Sequence, residues 1–216
     1  MKFPWQNKKP VPLLSPREGY DLWAANYSSE SNPIKNLSDE AIIKLLPDVK
    51  NKSVLDAGCG TGYFCQLAYE REAAKITGID ISPKMIEMAK RNCPSAEFNC
   101  ADISTEPIQK EAFDVIIFAL VLGHIKDIRP ALENLASTLK SGGTLLISDF
   151  HPFLTLRNSK RTFKDASGKL FEVPHHLHLF QDIIQCLHQH KVMLEILEEP
   201  LWQDVPVVYA MKAKKM

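Results

Sequence analysis

Residues 54–62 read Val-Leu-Asp-Ala-Gly-Cys-Gly-Thr-Gly, and this stretch limits the fold more than any other in the chain. A short apolar run leads to an acid, Asp56, after which glycine returns at every second position, at Gly58, Gly60 and Gly62. A strand ending in such a turn brings bare backbone close to a ligand, because glycine has no Cβ and accepts φ > 0. The run from Tyr63 to Arg71 favours a helix directly afterwards. A strand-to-helix turn of this kind can cradle pyrophosphate at the helix N-terminus. The dinucleotide fingerprint G-x-G-x-x-G fails here, since Tyr63 stands where its third glycine belongs. Asp56, close before the glycines, suits a cationic ligand better than a phosphate.

Downstream, strands and helices alternate. Apolar runs predict strands over 52–57, 75–80, 96–100, 113–119 and 143–149, with helices over 61–72, 82–92 and 128–140. Ser82-Pro83 reads as an N-cap followed by proline at the first helical position, and Gly142-Gly143 as a stop. Uninterrupted apolar strands such as Val115-Ile116-Ile117-Phe118-Ala119-Leu120 belong in a sheet covered on both faces. The alternation predicts an α/β, Rossmann-like, doubly wound sheet. Upstream, residues 1–14 read as a proline-containing strap. Arg17 to Tyr27 reads as a helix with Tyr20, Trp23 and Tyr27 on one face, and Ser38 as the N-cap of a second helix that ends at Pro47. A helix near 178–190 and strands over 191–197 and 205–211 close the chain.

Composition excludes some partners. The 26 basic residues balance 26 acidic ones, so no global field draws the chain to nucleic acid or to an anionic membrane. No apolar run has transmembrane length, and the N-terminus carries prolines and lysines where a signal peptide needs an apolar core, so a cytoplasmic location is expected. Cys59, Cys65, Cys93, Cys100 and Cys186 form an odd set without a C-x-x-C pair and read as reduced thiols. Histidines at 175, 176, 178, 188 and 190 lack supporting ligand spacing, so no metal is expected.

D-A-G-C-G-T-G is followed by Gly78-Ile79-Asp80-Ile81-Ser82, Ala101-Asp102-Ile103, Phe113-Asp114-Val115-Ile116-Ile117 and L-K-S-G-G-T-L-L over 139–146. In order and spacing these blocks resemble the class I S-adenosylmethionine-dependent methyltransferases, over roughly residues 50–150. The resemblance implies a seven-stranded, mostly parallel sheet with an antiparallel C-terminal edge hairpin, and S-adenosyl-L-methionine as cofactor. It implies one domain over 1–216: strap and lid helices (1–50), cofactor core (51–150), substrate cap (151–177), and a C-terminal helix and hairpin (178–216). Ligands of open α/β sheets bind beyond the carboxyl ends of the strands, and an acid after the second strand can take both ribose hydroxyls, the place of Asp80. By the resemblance, Asp102 accepts the adenine amino group between Ile81 and Ile103. Asp56 orients the turn and the methionine end, with Gly58, Cys59, Gly60, Met85, Ala119 and Leu120 completing the site. Tyr27 and Tyr20 close over it as a lid, or simply pack as an aromatic stripe.

The acceptor side is less defined. His124, after the fourth strand, falls where several small-molecule methyltransferases hold a histidine near the transferred methyl. It reads either as a general base or as a packing residue. His151 and Arg157 face the expected substrate side. The segment 157–169 sets Arg157, Lys160, Arg161, Lys164 and Lys169 against Asp165 alone, a cationic patch or a solvated loop. The Y-D-L-W-A segment over 20–24 and S-D-F-H-P-F over 148–153 are similar to malonyl-carrier-protein O-methyltransferases. That similarity implies a carboxylate substrate on an acidic acyl carrier protein. The alternatives are N-, O- or C-methylation of another metabolite with His124 as base, and a non-catalytic cofactor-binding protein.

Overall fold

The computed structural model describes residues 11–27 and 32–216, so most of the expected strap lies outside it. Two helices come first, α1 (Pro16–Tyr27) and α2 (Pro33–Leu45). Alternation follows through β1 (Ser53–Ala57), α3 (Tyr63–Glu70), β2 (Lys75–Asp80), α4 (Pro83–Asn92) and β3 (Glu97–Cys100). It continues with β4 (Phe113–Ala119), α5 (Arg129–Thr138) and β5 (Leu139–Phe150). Next come a short helix α6 (Pro152–Leu156), a hairpin of β6 (Arg161–Lys164) and β7 (Leu170–Val173), and α7 (Phe180–Gln189). The chain closes with β8 (Val192–Glu198), a small hairpin of β9 (Leu201–Trp202) and β10 (Val205–Pro206), and β11 (Val208–Lys215).

Seven strands form one sheet in the order β3-β2-β1-β4-β5-β11-β8. The first five are parallel, and β11 runs antiparallel between β5 and β8. This is the doubly wound, Rossmann-like sheet that the alternation predicts. Strand β4 explains why the run from Val115 to Ala119 is continuously apolar. Ile116 and Phe118 enter the core on one face with Leu55, Leu132 and Leu145, while Val115 and Ile117 enter the other with Val54, Ile42 and Leu146. Both faces being covered, neither parity of the strand can be polar.

Three boundaries differ from the sequence reading. Strand β5 begins at Leu139, directly after α5 ends at Thr138, so Gly142 and Gly143 lie within the strand and do not stop the helix. Helix α2 starts at Pro33, five residues before Ser38: Asn32 caps it, accepting from the Ile34 and Lys35 amides. Ser38 is instead fully buried mid-helix, where its hydroxyl bonds Ser148 Oγ at 2.7 Å and pins α2 to the sheet. The final strand begins at Val208, because Val205 and Pro206 pair with Trp202 and Leu201 instead. Proline has no N–H to give a central ladder, so Pro206 stays on that two-stranded edge.

The β6–β7 hairpin lies over α1. Trp23 stacks on Phe163 with ring centroids 5.0 Å apart, and Phe171 and Val173 complete this small apolar cluster. The strap residues Pro12 and Leu14 bond the backbone of Glu172 at 2.9 Å each, adding a short third partner to the hairpin.

Candidate active site

The glycine turn is held by the ends of its neighbours. The amides of Gly58 and Cys59 donate to the Ile79 carbonyl at 2.6 and 2.9 Å, and the Gly60 amide donates to Asp80 Oδ2 at 2.8 Å. Asp80 Oδ1 accepts from the Ser82 amide at 2.8 Å, and burial raises its carboxyl above the usual range. Gly58 and Gly60 both have positive φ, +82° and +51°. They differ in what a side chain would meet. A Cβ on Gly58 would overlap Val121 Cγ2 at 2.1 Å, whereas one on Gly60 finds nothing nearer than Tyr27 Cε1 at 3.8 Å. Gly60 therefore leaves its backbone open toward the cavity, and Gly58 is bare because Val121 fills the space.

A cavity of about 350 Å³ opens above this turn at the carboxyl ends of the parallel strands. Asp80 and Ile81 reach it from the end of β2, Asp102 and Ile103 from the turn after β3, and Ala119 and Leu120 from the end of β4. Gly58 and Gly60 form its floor, Tyr20 and Tyr27 of α1 one wall, and His124 the end beyond Leu120. Two acids flanked by isoleucines, with an open glycine between them and the tyrosines, fit an adenosyl group. Asp80 and Asp102 could accept from hydroxyl and amino groups of such a ligand, and Gly60 leaves open space beside them.

His124 is fixed from both sides. Its Nδ1 lies 2.7 Å from the Pro174 carbonyl oxygen, an acceptor, so this nitrogen carries the proton. Its Nε2 then accepts from the Tyr20 hydroxyl at 2.8 Å. Burial, with Arg161 nearby, pulls the imidazole down to about 3, so it is neutral across the physiological range. Burial likewise raises the Tyr20 and Tyr27 phenols.

Five residues expected in the site lie off the cavity. Asp56 is buried beneath the turn, where the Cys65 thiol donates to it at 3.7 Å and burial raises its carboxyl to about 7. The Cys59 amide is spent on Ile79 and its side chain is buried against Gly78. Met85 is fully buried in the first turn of α4. His151 caps α6 by accepting from the Phe153 amide and bonds Glu199 at 2.8 Å. Arg157 is exposed, its guanidinium 5.5 Å from the Phe153 ring centroid.

The cationic segment also divides. Arg161 is buried at 8% exposure, donating to the Leu120 carbonyl at 3.0 Å and to Asp149 Oδ1 at 3.4 Å. Against the cost of burial, His175 and Arg161 hold the Asp149 carboxyl ionised and well below the usual range. Lys160 pairs with Glu172 at 2.6 Å, leaving Arg157, Lys164 and Lys169 as the outward charges. The signal that could have found Arg161 is period two: Phe163 faces inward, so the residue two before it shares that face. Among the described residues, no group of His, Cys, Asp or Glu is arranged to hold a metal ion.

The methyltransferase domain model matches residues 48–203. This chain belongs to that family. The enzyme is an S-adenosylmethionine-dependent methyltransferase, and the cavity residues above are those that would hold the cofactor. Over 84% of its length it superposes on 99% of an S-adenosylmethionine dependent methyltransferase from Listeria monocytogenes, with TM-score 0.74 and 26% identity. An uncharacterised protein of Haemophilus influenzae is 29% identical over 82% of each chain. A malonyl-[acyl-carrier protein] O-methyltransferase of Acetivibrio thermocellus is 34% identical over 68% of the methyltransferase, an alignment that spans 53% of the relative. No helix among the described residues is long and apolar enough to cross a membrane.

Proposed function

We propose that this methyltransferase esterifies a carboxylate on a small acyl group, with a malonyl thioester on an acyl carrier protein as the leading candidate. The observation that carries this reading is the state of His124. Its one lone pair is occupied by the Tyr20 hydroxyl, and burial holds its conjugate acid near 3. It is therefore a poor acceptor for the proton of a hydroxyl or an amine, since a general base works best with a pKa near the operating pH. The remaining acids of the cavity, Asp80 and Asp102, stand at the nucleoside end. A carboxylate is already ionised near neutrality and needs orientation and loss of water but no base.

S-adenosylmethionine, when bound, supplies an electrophilic methyl on a sulfonium centre. The chain's own residues then have three tasks. Asp80, Asp102 and the open backbone at Gly60 hold the donor. The Tyr20 hydroxyl and Leu120 bound the reacting end of the cavity. Helix α1 and the β6–β7 hairpin keep water from it, Trp23 and Phe163 packing face to face between them. The 34% identity to a malonyl-[acyl-carrier protein] O-methyltransferase supports the choice of acyl group. The exposed cations Arg157, Lys164 and Lys169 give an acidic carrier a complementary surface.

A single-turnover assay with radiolabelled methyl donor tests the reading. Malonyl carrier protein, a short malonyl thioester, and hydroxyl and amine acceptors of similar size are each offered. Base-labile methyl ester formed on the malonyl acceptors supports it. Label appearing instead on the hydroxyl or amine overturns it and returns His124 with Tyr20 to the role of base.

A further inference from the structure

A second, smaller cavity of about 210 Å³ adjoins the first, between α1, the start of α2 and β6. It shares Tyr20, Tyr27 and Leu120 with the donor cavity, so the same three side chains separate a donor chamber from a neighbouring one. In a methyl transferase the acceptor must reach the donor from such a side. The walls are aromatic, from Trp23 and Phe150 together with the two tyrosines, and no aspartate or glutamate lines it. Three basic residues do: Lys35, Lys160 and Arg161.

The three are not equivalent. The Lys35 ammonium is bound to Asp39 at 2.5 Å and that of Lys160 to Glu172 at 2.6 Å, so each charge is matched. Arg161 is buried, stands 4.5 Å from the Phe150 ring centroid, and commits one nitrogen to the Leu120 carbonyl. Its only carboxylate neighbour at hydrogen-bond distance among the described residues is Asp149, at 3.4 Å and through one oxygen. Asp149 is already taken up by others. It accepts from the Gly123 amide at 2.7 Å, from its neighbour Phe150 at 2.7 Å, and lies 3.7 Å from His175 Nε2. A guanidinium carries five N–H donors in a planar fork that matches a carboxylate. Asp149 matches the charge of Arg161, but the hydrogen bonds commit only one N–H to Asp149 and one to Leu120. The fork therefore keeps N–H donors at a buried aromatic wall, a setting that suits the two acceptor oxygens of a carboxylate better than a carboxamide.

We infer that the chamber between α1 and β6 is the acceptor pocket and that Arg161 is its specificity residue, selecting small acyl groups that bear a carboxylate. This rests on the carboxylate reading above only in its choice of reaction; the anion preference itself is a property of the pocket. The Leu120 carbonyl, which Arg161 holds, and the Tyr20 hydroxyl mark the passage from this pocket to the donor chamber. An anchored carboxylate would therefore lie beside the methyl donor.

The test separates binding from turnover. Protein saturated with S-adenosylhomocysteine is titrated with butanoate and with butanamide by ligand-observed NMR. The wild type is expected to prefer butanoate by about tenfold or more, as one charge-assisted hydrogen bond implies. Arg161→Lys keeps the charge but loses the fork, and should bring the preference to within about threefold. Ile34→Trp, at a half-buried position of α2 lining the same pocket, fills the chamber without touching the Arg161–Asp149 pair and should abolish binding of both probes. Equal affinity of the wild type for both probes overturns the inference without reference to any variant. So does butanoate binding that survives Ile34→Trp. If carboxylates bind through Arg161 but no ester forms, the reaction is wrong and the pocket stands. If esters form with KM unchanged in Arg161→Lys, the reaction stands and the pocket is wrong.

Discussion

Asp80 takes the Gly60 amide on one carboxylate oxygen and the Ser82 amide on the other, both at 2.8 Å. The acid expected to hold the ribose is thereby also the clamp that shapes the glycine turn and starts α4. Asp80→Ala should therefore weaken S-adenosylhomocysteine binding by more than one contact implies. About 1.5–3 kcal/mol is expected for each charged hydrogen bond lost, plus the cost of a loosened turn. Asp80→Asn, which keeps an acceptor on one side only, should fall between wild type and alanine. Calorimetry on the folded variants decides it, and an alanine variant with wild-type affinity removes Asp80 from the site.

Gly60→Val puts a branched side chain into the cavity from its floor while meeting only Tyr27 at 3.8 Å. The fold should survive, and cofactor affinity should drop on the order of tenfold to a hundredfold, because the φ of +51° also resists β-branching. Gly58→Ala behaves differently: its collision with Val121 should lower Tm before any ligand is added. Thermal shift with and without S-adenosylhomocysteine separates the two effects.

His124→Ala should cost a carboxylate-esterifying enzyme less than about tenfold in kcat, against the two to four decades typical for loss of a general base. Because burial holds the imidazole near 3, the pH–rate profile should show no imidazole step between pH 5 and 8. A step near 6.5 that disappears in the variant would restore the base.

Asp56 gives a stability prediction with a definite sign. Its carboxyl is raised by burial to about 7 in the folded protein, against an ordinary value near 3.8. Between those pH values the unfolded chain has released the proton and the folded one retains it, so stability falls as pH rises. The decline starts above the ordinary value and is complete once pH exceeds about 7. Asp56→Asn should flatten that slope and raise Tm at pH 8 relative to wild type. An unchanged slope would mean that Asp56 is ionised throughout.

Docking of an acidic carrier would fall on Arg157, Lys164 and Lys169, with Arg161 excluded by burial and Lys160 by Glu172. Replacing those three by serine should raise KM for carrier-bound substrate and leave a short thioester unaffected. Rim charges act mainly on encounter and are screened over about 8–10 Å at physiological salt, so added salt should mimic the variant. Equal salt sensitivity of both substrates removes the carrier from the reading.

The parallel frame was legible because burial on both faces leaves only one kind of sequence for strands such as β4, and because glycines with positive φ punctuate the first turn. The cavity acids were legible for a related reason: Asp80 closes a strand and Asp102 follows one. What stayed hidden depends on who sits across the fold. Ser38-Asp39-Glu40 satisfies every local rule for a helix start, yet Ser148, a hundred and ten residues later, makes Ser38 an interior residue. Arg161 reads as one more cation in a basic loop until Asp149 and Phe150 enclose it. His124 sits at the cavity as the sequence suggests, but its protonation is decided by Pro174 and Tyr20, which no spacing rule connects to it.

Helix α1 is tied at both flanks, through Asp21 to Ser82 at 2.6 Å on the donor side and through Trp23 to Phe163 on the hairpin side. Since Tyr20 and Tyr27 of this helix wall both chambers, it cannot swing aside for one ligand without unroofing the other. The consequence is kinetic. A motion of α1 that opens one chamber therefore opens the other. Ligand entry and product release are coupled through one cover, whose opening is a step of the kind that sets kcat in many enzymes whose chemistry is fast.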